Sequence, residues 1–385
     1  MSPAKNYFPA LTGIRALAAY LVFVFHFNPF RGFAHEPHTL GHKLFSLCDT
    51  LHIGVTIFFV LSGFLISLRY QDNVRLSKDW LFHYALNRFA RLFPMYALAL
   101  GFTCAVLGLR IDYDYVKQFI YFPPIPKVSA ILLSLTLLKG FSSSLKFSGI
   151  AQAWSLTVEE CFYFTAPFVL ISRLAFGLKM ALYVATSLAV GLLLTGIGAY
   201  AKYYGFFSSL DFLFSYTFFG RCLEFTLGMA LAYLVRGQQS FSFRHFTYGG
   251  IAGIMLCLIG LTYYPKTVWA GVVINNCLLP VAICSLLLGL IREPGYLRRV
   301  LETRLAGLLG RASYTFYLLH MGVVQLLIGR FISPHKLVLF LLLNALAVVL
   351  FKLVEEPCHR ALQQLAGVAR LATAPAERAR PGGPE

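Results

Sequence analysis

The stretch "GIRALAAYLVFVFHF", residues 13–27, decides the fold class of this chain. Almost all of its residues are apolar, as in a helix that crosses a bilayer, yet it contains Arg15 and His26. An ionisable side chain at the centre of a bilayer costs at least about 2.5–3.5 kcal/mol, even on lenient insertion scales. A membrane helix that carries two such side chains therefore indicates a functional site within the membrane.

The composition of the whole chain also indicates a membrane protein. Of the 385 residues, 58% are hydrophobic and 13% are charged, and the mean hydropathy is +0.69. Soluble domains are closer to half apolar and a quarter charged. The net charge of +17 is divided among short clusters between apolar runs. This pattern favours contact with a lipid bilayer over nucleic-acid binding.

The eight cysteines give no sign of a disulfide framework or a metal centre. They form no CxxC pair, and no cysteine and histidine residues have the spacing of metal ligands. We therefore predict no disulfide framework and no metal site, and we separately expect no tightly bound cofactor.

Ten apolar segments are long enough to span a membrane, which takes about 20 residues. The predicted spans are 8–28, 50–69, 92–109, 153–172, 178–200, 211–235, 247–264, 268–291, 306–330 and 336–354. An eleventh segment, 130–138, would rise only about 14 Å as a helix and cannot cross a core of about 30 Å. We predict that it is re-entrant or interfacial, within an all-α polytopic membrane bundle.

The distribution of positive charge sets the expected orientation. With the N-terminus inside, the inner segments contain 19 Lys and Arg residues and the outer segments contain 11. Because cytoplasmic loops are enriched in these residues, we expect both termini in the cytoplasm. Residues 77–94 mix aromatic and basic residues and predict an amphipathic interfacial helix. We expect a membrane domain at 1–357 and a cytoplasmic tail at 358–385 that is disordered toward its end.

Arg15 and His26 share one face of the first predicted helix. Eleven residues at 100° each return to within about 20° of the same direction, with a separation of about 16 Å along the axis. This face could line an internal passage between the two polar groups. The alternative is that Arg15 extends to the inner interface and His26 ends the helix near water.

Two further pairs of charged residues lie in or next to the predicted membrane helices. Glu159 and Glu160 lie in the first turns of the fourth span, where the helix dipole returns only about 0.3–1 kcal/mol. Because they are adjacent they point in different directions, so one could face a site. Arg88 and Arg91 share a face at spacing i, i+3 and could bind phosphates, or simply anchor the helix at the inner interface.

Tyr317 and His320 share a face of the ninth predicted span, where a structural histidine is the alternative to a functional one. Arg221 and Glu224 are spaced i, i+3 in the sixth span and can neutralise each other. We interpret that pair as structural.

Together these motifs resemble acyltransferase family three, the multipass membrane O-acyltransferases that modify bacterial surface polysaccharides and related molecules. The matching motifs, in family order, are "LTGIRALAAYLVFVFHF" (11–27), "IFFVLSGFLI" (57–66), "NRFARLFPMY" (87–96), "WSLTVEECFYF" (154–164), "SYTFYLLHMG" (313–322) and "VEEP" (354–357). The sequence departs from the family pattern at Thr56, where an aspartate is frequent, and at Cys161, where glutamine is common.

The resemblance implies transfer of an acyl group, most often acetyl, from acyl-CoA to a carbohydrate hydroxyl. An alcohol needs a base, and histidine titrates near neutral pH. The implied roles are general base for His26, orientation of that base for Glu159, donor contact for Arg15, phosphate binding for Arg88 and Arg91, and lining of the substrate site for Glu160, Tyr317 and His320. A covalent acyl-histidine intermediate is an alternative route.

A transporter or flippase for a lipid-linked sugar is the rival interpretation, because intramembrane Arg, His and Glu residues also mark transport pathways. Transporters often contain internal repeats, and this sequence shows none. We expect the protein in the cytoplasmic membrane of a bacterium. The sequence does not define an oligomeric state.

Overall fold

The computed structural model describes residues 7–112, 115, 116, 118, 120, 127–201, 203–237 and 245–373. Within these residues the regular secondary structure is helical, and the β structure is a single bridge between Ser142 and Phe206. This confirms the prediction of an all-α polytopic bundle. Residues 374–385, the end of the predicted tail, lie outside the described residues.

The first half of the chain forms nine helices within the described residues. They are α1 (Pro9–His26), α2 (Leu40–Asp49), α3 (Gly54–Tyr70), α4 (Lys78–Gly108), α5 (Lys127–Leu135), α6 (Trp154–Ile171), α7 (Phe176–Ala201), α8 (Leu210–Tyr216) and α9 (Phe218–Arg236).

The second half adds nine more helices in the described part of the chain. They are α10 (Phe246–Tyr263), α11 (Trp269–Val273), α12 (Leu279–Arg292), α13 (Tyr296–Leu301), α14 (Arg304–Arg311), α15 (Ser313–Leu319), α16 (Val323–Phe331), α17 (Lys336–Leu350) and α18 (Glu356–Thr373). A π-helical turn, Ile274–Leu278, joins α11 to α12, and a second one, Phe351–Glu355, joins α17 to α18.

Eight helical segments in the described residues are long and apolar enough to cross a membrane, compared with the ten predicted spans. They are Pro9–His26, Leu40–Tyr70, Lys78–Gly108, Phe176–Ala201, Leu210–Arg236, Phe246–Tyr263, Trp269–Arg292 and Lys336–Gln364. The predicted span 153–172 does form one helix, α6, but its two glutamates make it less apolar than those eight.

The predicted span 306–330 is divided into α14, α15 and α16. The second break follows Leu319, and Gly322 adopts a φ of +102°, which no helix permits. The apolar run is continuous in sequence, so hydropathy alone predicted one helix where the backbone is interrupted.

The interfacial helix predicted at 77–94 is not a separate element. It is the first half of α4, which runs without a break for 31 residues and contains Pro94. Ser77 begins the helix by accepting a hydrogen bond from the Trp80 amide at 3.3 Å. The aromatic and basic pattern therefore lies in the N-terminal half of a long helix.

The segment predicted to be too short for a span agrees with that expectation. Helix α5 has 9 residues and is not one of the eight segments long enough to cross. Leu137 then adopts a positive φ of 59°, and the Tyr96 hydroxyl fixes the end of α5 by donating to the Ser134 carbonyl at 2.7 Å.

The first part of the predicted tail continues the fold as α18, which packs against α4. The proposed boundary at residue 357 therefore falls within a helix. Elsewhere, α3 and α9 approach closely because each has a glycine at the contact. A methyl group added at Gly63 would lie 2.1 Å from the Phe225 carbonyl oxygen, and one at Gly228 would lie 2.1 Å from that of Val60.

Candidate active site

A cavity of about 50 Å³, with room for more than one water-sized group, lies between α1, α3, α4, α6 and α15. Its polar lining includes residues from each of these helices: Arg15, Ser62, Arg91, Ser155, Glu159, Tyr314 and Tyr317. Five helices distant in sequence thus bring three of the charged residues singled out above, Arg15, Arg91 and Glu159, to one place.

Arg15 and Arg91 are the two positive charges of the cavity. Neither guanidinium forms a hydrogen bond or ion pair with another described residue. Arg15 lies within electrostatic reach of Arg91, Glu355 and Glu159. Two guanidinium groups without a direct partner can bind an anionic or electron-rich ligand.

Glu159 is the acid of the cavity, and its carboxylate is held in place. Its Oε1 accepts hydrogen bonds from the Ser62 hydroxyl at 2.6 Å and from the Tyr163 hydroxyl. Glu160 does not line the cavity. The different directions expected for these two neighbours are therefore observed.

Glu355 is a second acid near the two arginines, and it is not among the site residues predicted from the sequence. Its Oε2 accepts a hydrogen bond from the Thr315 hydroxyl at 2.6 Å. It lies within electrostatic reach of Arg15 and Arg91, and it ends the π-helical turn after α17. The sequence signal was the "VEEP" motif, which placed an acid at the end of an apolar span.

Arg88 and Arg91 do not act as one pair at the surface. Arg88 is only 8% exposed, lies over the rings of Tyr70 and Tyr163, and donates to the Tyr70 hydroxyl at 3.3 Å. Arg91 alone enters the cavity. The shared helix face was predicted, but of these two arginines three residues apart, Arg88 is packed against tyrosine rings and Arg91 lines the cavity, where a ligand can reach it.

Tyr317 and Ser155 border the cavity and contact each other, with their hydroxyl oxygens 2.9 Å apart. The Gln152 carbonyl oxygen is an acceptor within reach of both hydroxyls, 3.3 Å from that of Tyr317 and 3.0 Å from that of Ser155. The Gln152 side chain donates to the carbonyl oxygens of Leu318 and Met321, at 2.6 and 3.2 Å. The interrupted segment α15–α16 is thereby attached to the start of α6.

The loop before α6 is held by a buried amine. Lys139 is fully buried, and its Nζ donates to the carbonyl oxygens of Ser148 and Ile150, the latter at 2.8 Å. Burial lowers the pKa of Lys139 to about 7. This lysine fixes the loop that carries Gln152.

His26 and His320 form a second polar group next to the cavity. Their ring centroids are 5.3 Å apart, and the ring of Tyr317, which lines the cavity, is 5.4 Å from that of His320. Among the described residues, no hydrogen bond joins His26 to Glu159, which accepts from Ser62 and Tyr163. Glu159 faces the Arg15 part of the α1 face, and His26 is about three helical turns further along.

Arg221 and Glu224 form the structural ion pair that their spacing predicted. Arg221 Nε and Nη2 donate to Glu224 at 2.7 and 3.0 Å, and both residues are buried. Arg221 Nη2 also donates to the Thr56 hydroxyl at 3.0 Å. Thr56, which departs from the family pattern, thus contacts an arginine whose charge is balanced by Glu224.

Comparisons with known proteins give a consistent picture. A family model described as "Acyltransferase domain" matches residues 8–354. Acyltransferase MdmB of Streptomyces mycarofaciens is 26% identical over 43% of this chain and 40% of its own length. A Staphylococcus aureus protein provisionally named an O-acetyltransferase is 22% identical over 83% of this chain and 51% of its own.

Peptidoglycan O-acetyltransferase OatA of Listeria monocytogenes is 28% identical over 49% of this chain and 28% of its own length. The chain thus spans about half the length of the Staphylococcus relative and less of the other two. No solved structure matches it.

Proposed function

Because this chain belongs to the acyltransferase family, we propose that it transfers an acyl group, most simply acetyl, from acyl-CoA to a hydroxyl group of a carbohydrate. The observation that carries the proposal is the cavity itself. Its lining contains one oriented carboxylate and two arginines that form no ion pair with any described residue, and a pair of histidines lies beside it. These are the groups needed to hold an anionic thioester donor and to remove a proton from an alcohol.

The donor would enter along the Arg15–His26 face of α1. Arg91 and Arg15 would contact the negatively charged or carbonyl part of the donor, because guanidinium groups bind such oxygens with strong, charge-assisted hydrogen bonds. The thioester would then lie near Tyr317 and Ser155, between the arginines and the histidines.

His26 would act as the general base. It takes the proton of the acceptor hydroxyl as the hydroxyl oxygen attacks the thioester carbonyl carbon, which gives a tetrahedral oxyanion. When this intermediate collapses, the carbon–sulfur bond breaks, the ester remains on the acceptor, and the proton passes from His26 to the departing thiolate. Attack by His26 itself, with a transient acyl-histidine, is the alternative route.

A sugar hydroxyl is the proposed acceptor. Support comes from the relatives, two of which are named for O-acetyl transfer and one of these for peptidoglycan. We also propose that the protein lies in the bacterial cytoplasmic membrane with both termini inside, because positive charge is concentrated in the predicted inner segments.

The test is an assay of the purified protein in lipid nanodiscs with radiolabelled acetyl-CoA and cell-envelope glycans. We expect free CoA and an alkali-labile, labelled glycan in equal amounts. His26→Ala should lower kcat by about 10²–10⁴-fold, while donor binding is retained. His42→Ala, at a histidine whose Nδ1 lies 3.1 Å from the Ala34 carbonyl oxygen, is the matched control and should keep full activity.

Two results would contradict the proposal. Movement of a lipid-linked sugar across the bilayer without thioester consumption would favour a transporter. Full acyl-transfer activity in His26→Ala would show that His26 is not the general base and that the proposed mechanism is wrong.

A further inference from the structure

His320 is a buried histidine whose protonation pattern the structure fixes. It has no exposed surface, and its Nδ1 lies 2.7 Å from the Tyr317 carbonyl oxygen. A carbonyl oxygen only accepts hydrogen bonds, so Nδ1 must carry a proton. In the neutral ring the other nitrogen, Nε2, therefore presents a lone pair.

That lone pair has no partner among the described residues, although Nε2 is fully buried. Buried polar atoms are almost always hydrogen bonded, so an exception needs an explanation. The neighbouring imidazole ring is that of His26, with centroids 5.3 Å apart and planes inclined by 40°. The His26 ring itself forms no hydrogen bond with any described residue.

We propose that His320 is a positioning residue for His26. When the acceptor binds, His320 Nε2 accepts a hydrogen bond from one ring nitrogen of His26, so the other nitrogen is left unprotonated to act as base. Hydrogen bonds of this kind are often long before substrate binds and shorten in the complex. The inference rests on the proposed acyl transfer and adds a role to it.

Charge and protons balance in this arrangement. The hydroxyl proton moves to the free nitrogen of His26, and the resulting imidazolium donates to the His320 lone pair. The same proton later moves to the thiolate. His320 stays neutral throughout, since its one ring proton remains on Nδ1, which donates it in a hydrogen bond to the Tyr317 carbonyl oxygen.

The backbone holds His320 for this role. Helix α15 ends at Leu319, so His320 follows at its terminus, and the chain turns away at Gly322. Glu159, the orienting group that the sequence analysis assigned, is already held by Ser62 and Tyr163 at the cavity. His320 therefore takes the place that the sequence analysis gave to a carboxylate.

Two conservative variants separate positioning from simple packing. The amide nitrogen of His320→Asn can reproduce the Nδ1 bond to the Tyr317 carbonyl, but the shorter side chain offers nothing at the Nε2 position. His320→Gln extends an amide oxygen to about the Nε2 position and can accept from His26. We expect kcat to fall about 10-fold or more in His320→Asn and to recover in part in His320→Gln, with the KM for acetyl-CoA unchanged in both.

A purely structural role predicts the reverse order, because Asn preserves the one side-chain hydrogen bond that His320 makes with the described residues. Wild-type kcat in His320→Asn, or a lower kcat in His320→Gln than in His320→Asn, would overturn the inference. If the wild type consumes no thioester, the proposed function fails instead, so the two failures are distinguishable.

A measurement that does not depend on turnover completes the test. The ¹⁵N shifts of His26 in histidine-labelled protein with bound glycan should report one dominant tautomer in the wild type. We expect a mixture of tautomers in His320→Asn. The same tautomer ratio in both proteins would overturn the inference even if His320→Asn were inactive through poor folding.

Discussion

Arg15 on α1 and Arg91 on α4 line the same cavity, and no described residue forms an ion pair with either. Two positive charges inside a membrane protein repel each other and cost desolvation energy. The nearby acids, Glu159 and Glu355, offset this cost from a distance. The positive charges of the cavity should therefore favour an anion that lies closer to the two arginines than these carboxylates do.

Arg91 and Arg88 should respond differently to the same substitution. Arg91→Ala should weaken donor binding by about 1.5–3 kcal/mol, about 10- to 100-fold, because a charge-assisted hydrogen bond is lost. Arg88→Ala should mainly lower the melting temperature, because Arg88 is packed between two tyrosine rings. Binding of acetyl-CoA by calorimetry, with thermal melts of the same samples, checks both. Equal loss of donor affinity in the two variants would contradict the assignment.

Removing the charge of Glu355 should strengthen donor binding. Glu355→Gln keeps an oxygen to accept from Thr315 but no longer offsets Arg15 and Arg91. We expect the KM for acetyl-CoA to fall several-fold at low salt and to approach the wild-type value at high salt, where charges are screened. Thr315→Val, which removes the hydrogen bond but not the charge, is the control. A higher KM in Glu355→Gln would mean that Glu355 itself contacts the donor.

Breaking the buried ion pair Arg221–Glu224 should lower the free energy of unfolding strongly. Replacing both residues with apolar ones should lower it much less. Glu224→Gln leaves the Arg221 charge buried without compensation, for which we expect a loss of about 3–5 kcal/mol in unfolding free energy. The double variant Arg221→Met/Glu224→Leu should recover most of it, because both charges are removed. Denaturation in detergent measures this. Independent, additive losses would show that the pair does not act as a unit.

The pH dependence of stability should contain a contribution from Lys139. Burial lowers its pKa from 10.5 to about 7 in the folded protein. Between these values the unfolded chain binds a proton that the folded chain does not, so this contribution stabilises the fold as pH rises. The melting temperature of the wild type, relative to that of Lys139→Met, should therefore rise between pH 7 and pH 9. A difference that is constant with pH would indicate a protonated lysine.

The sequence predicted site residues best where a charged side chain lies in an apolar helix, because its burial has an energetic cost. Arg15 and Glu159 were singled out because their charge conflicts with an apolar helix, and both line the cavity. The spacing of Arg221 and Glu224 likewise predicted their contact, since i, i+3 neighbours meet within one helix.

The sequence did not predict contacts between residues that lie in different helices. No local pattern shows that Ser62 binds Glu159, or that Thr315 binds Glu355, because each bond joins two helices. The broken span at 306–330 was missed for a related reason. Hydropathy records how apolar the residues are, while the break depends on the backbone angles at Gly322 and on the side chain of Gln152.

Because the helix is interrupted after α15, substitutions in two separate parts of the chain should be correlated in evolution. In an unbroken helix the carbonyl oxygens of Leu318 and Met321 would accept from amides four residues onward. Here Gln152 supplies donors to both. A change at Gly322 that closed the helix would leave Gln152 without acceptors, and loss of Gln152 would leave two carbonyls unmet. Descendant sequences should therefore substitute positions 152 and 322 together or not at all.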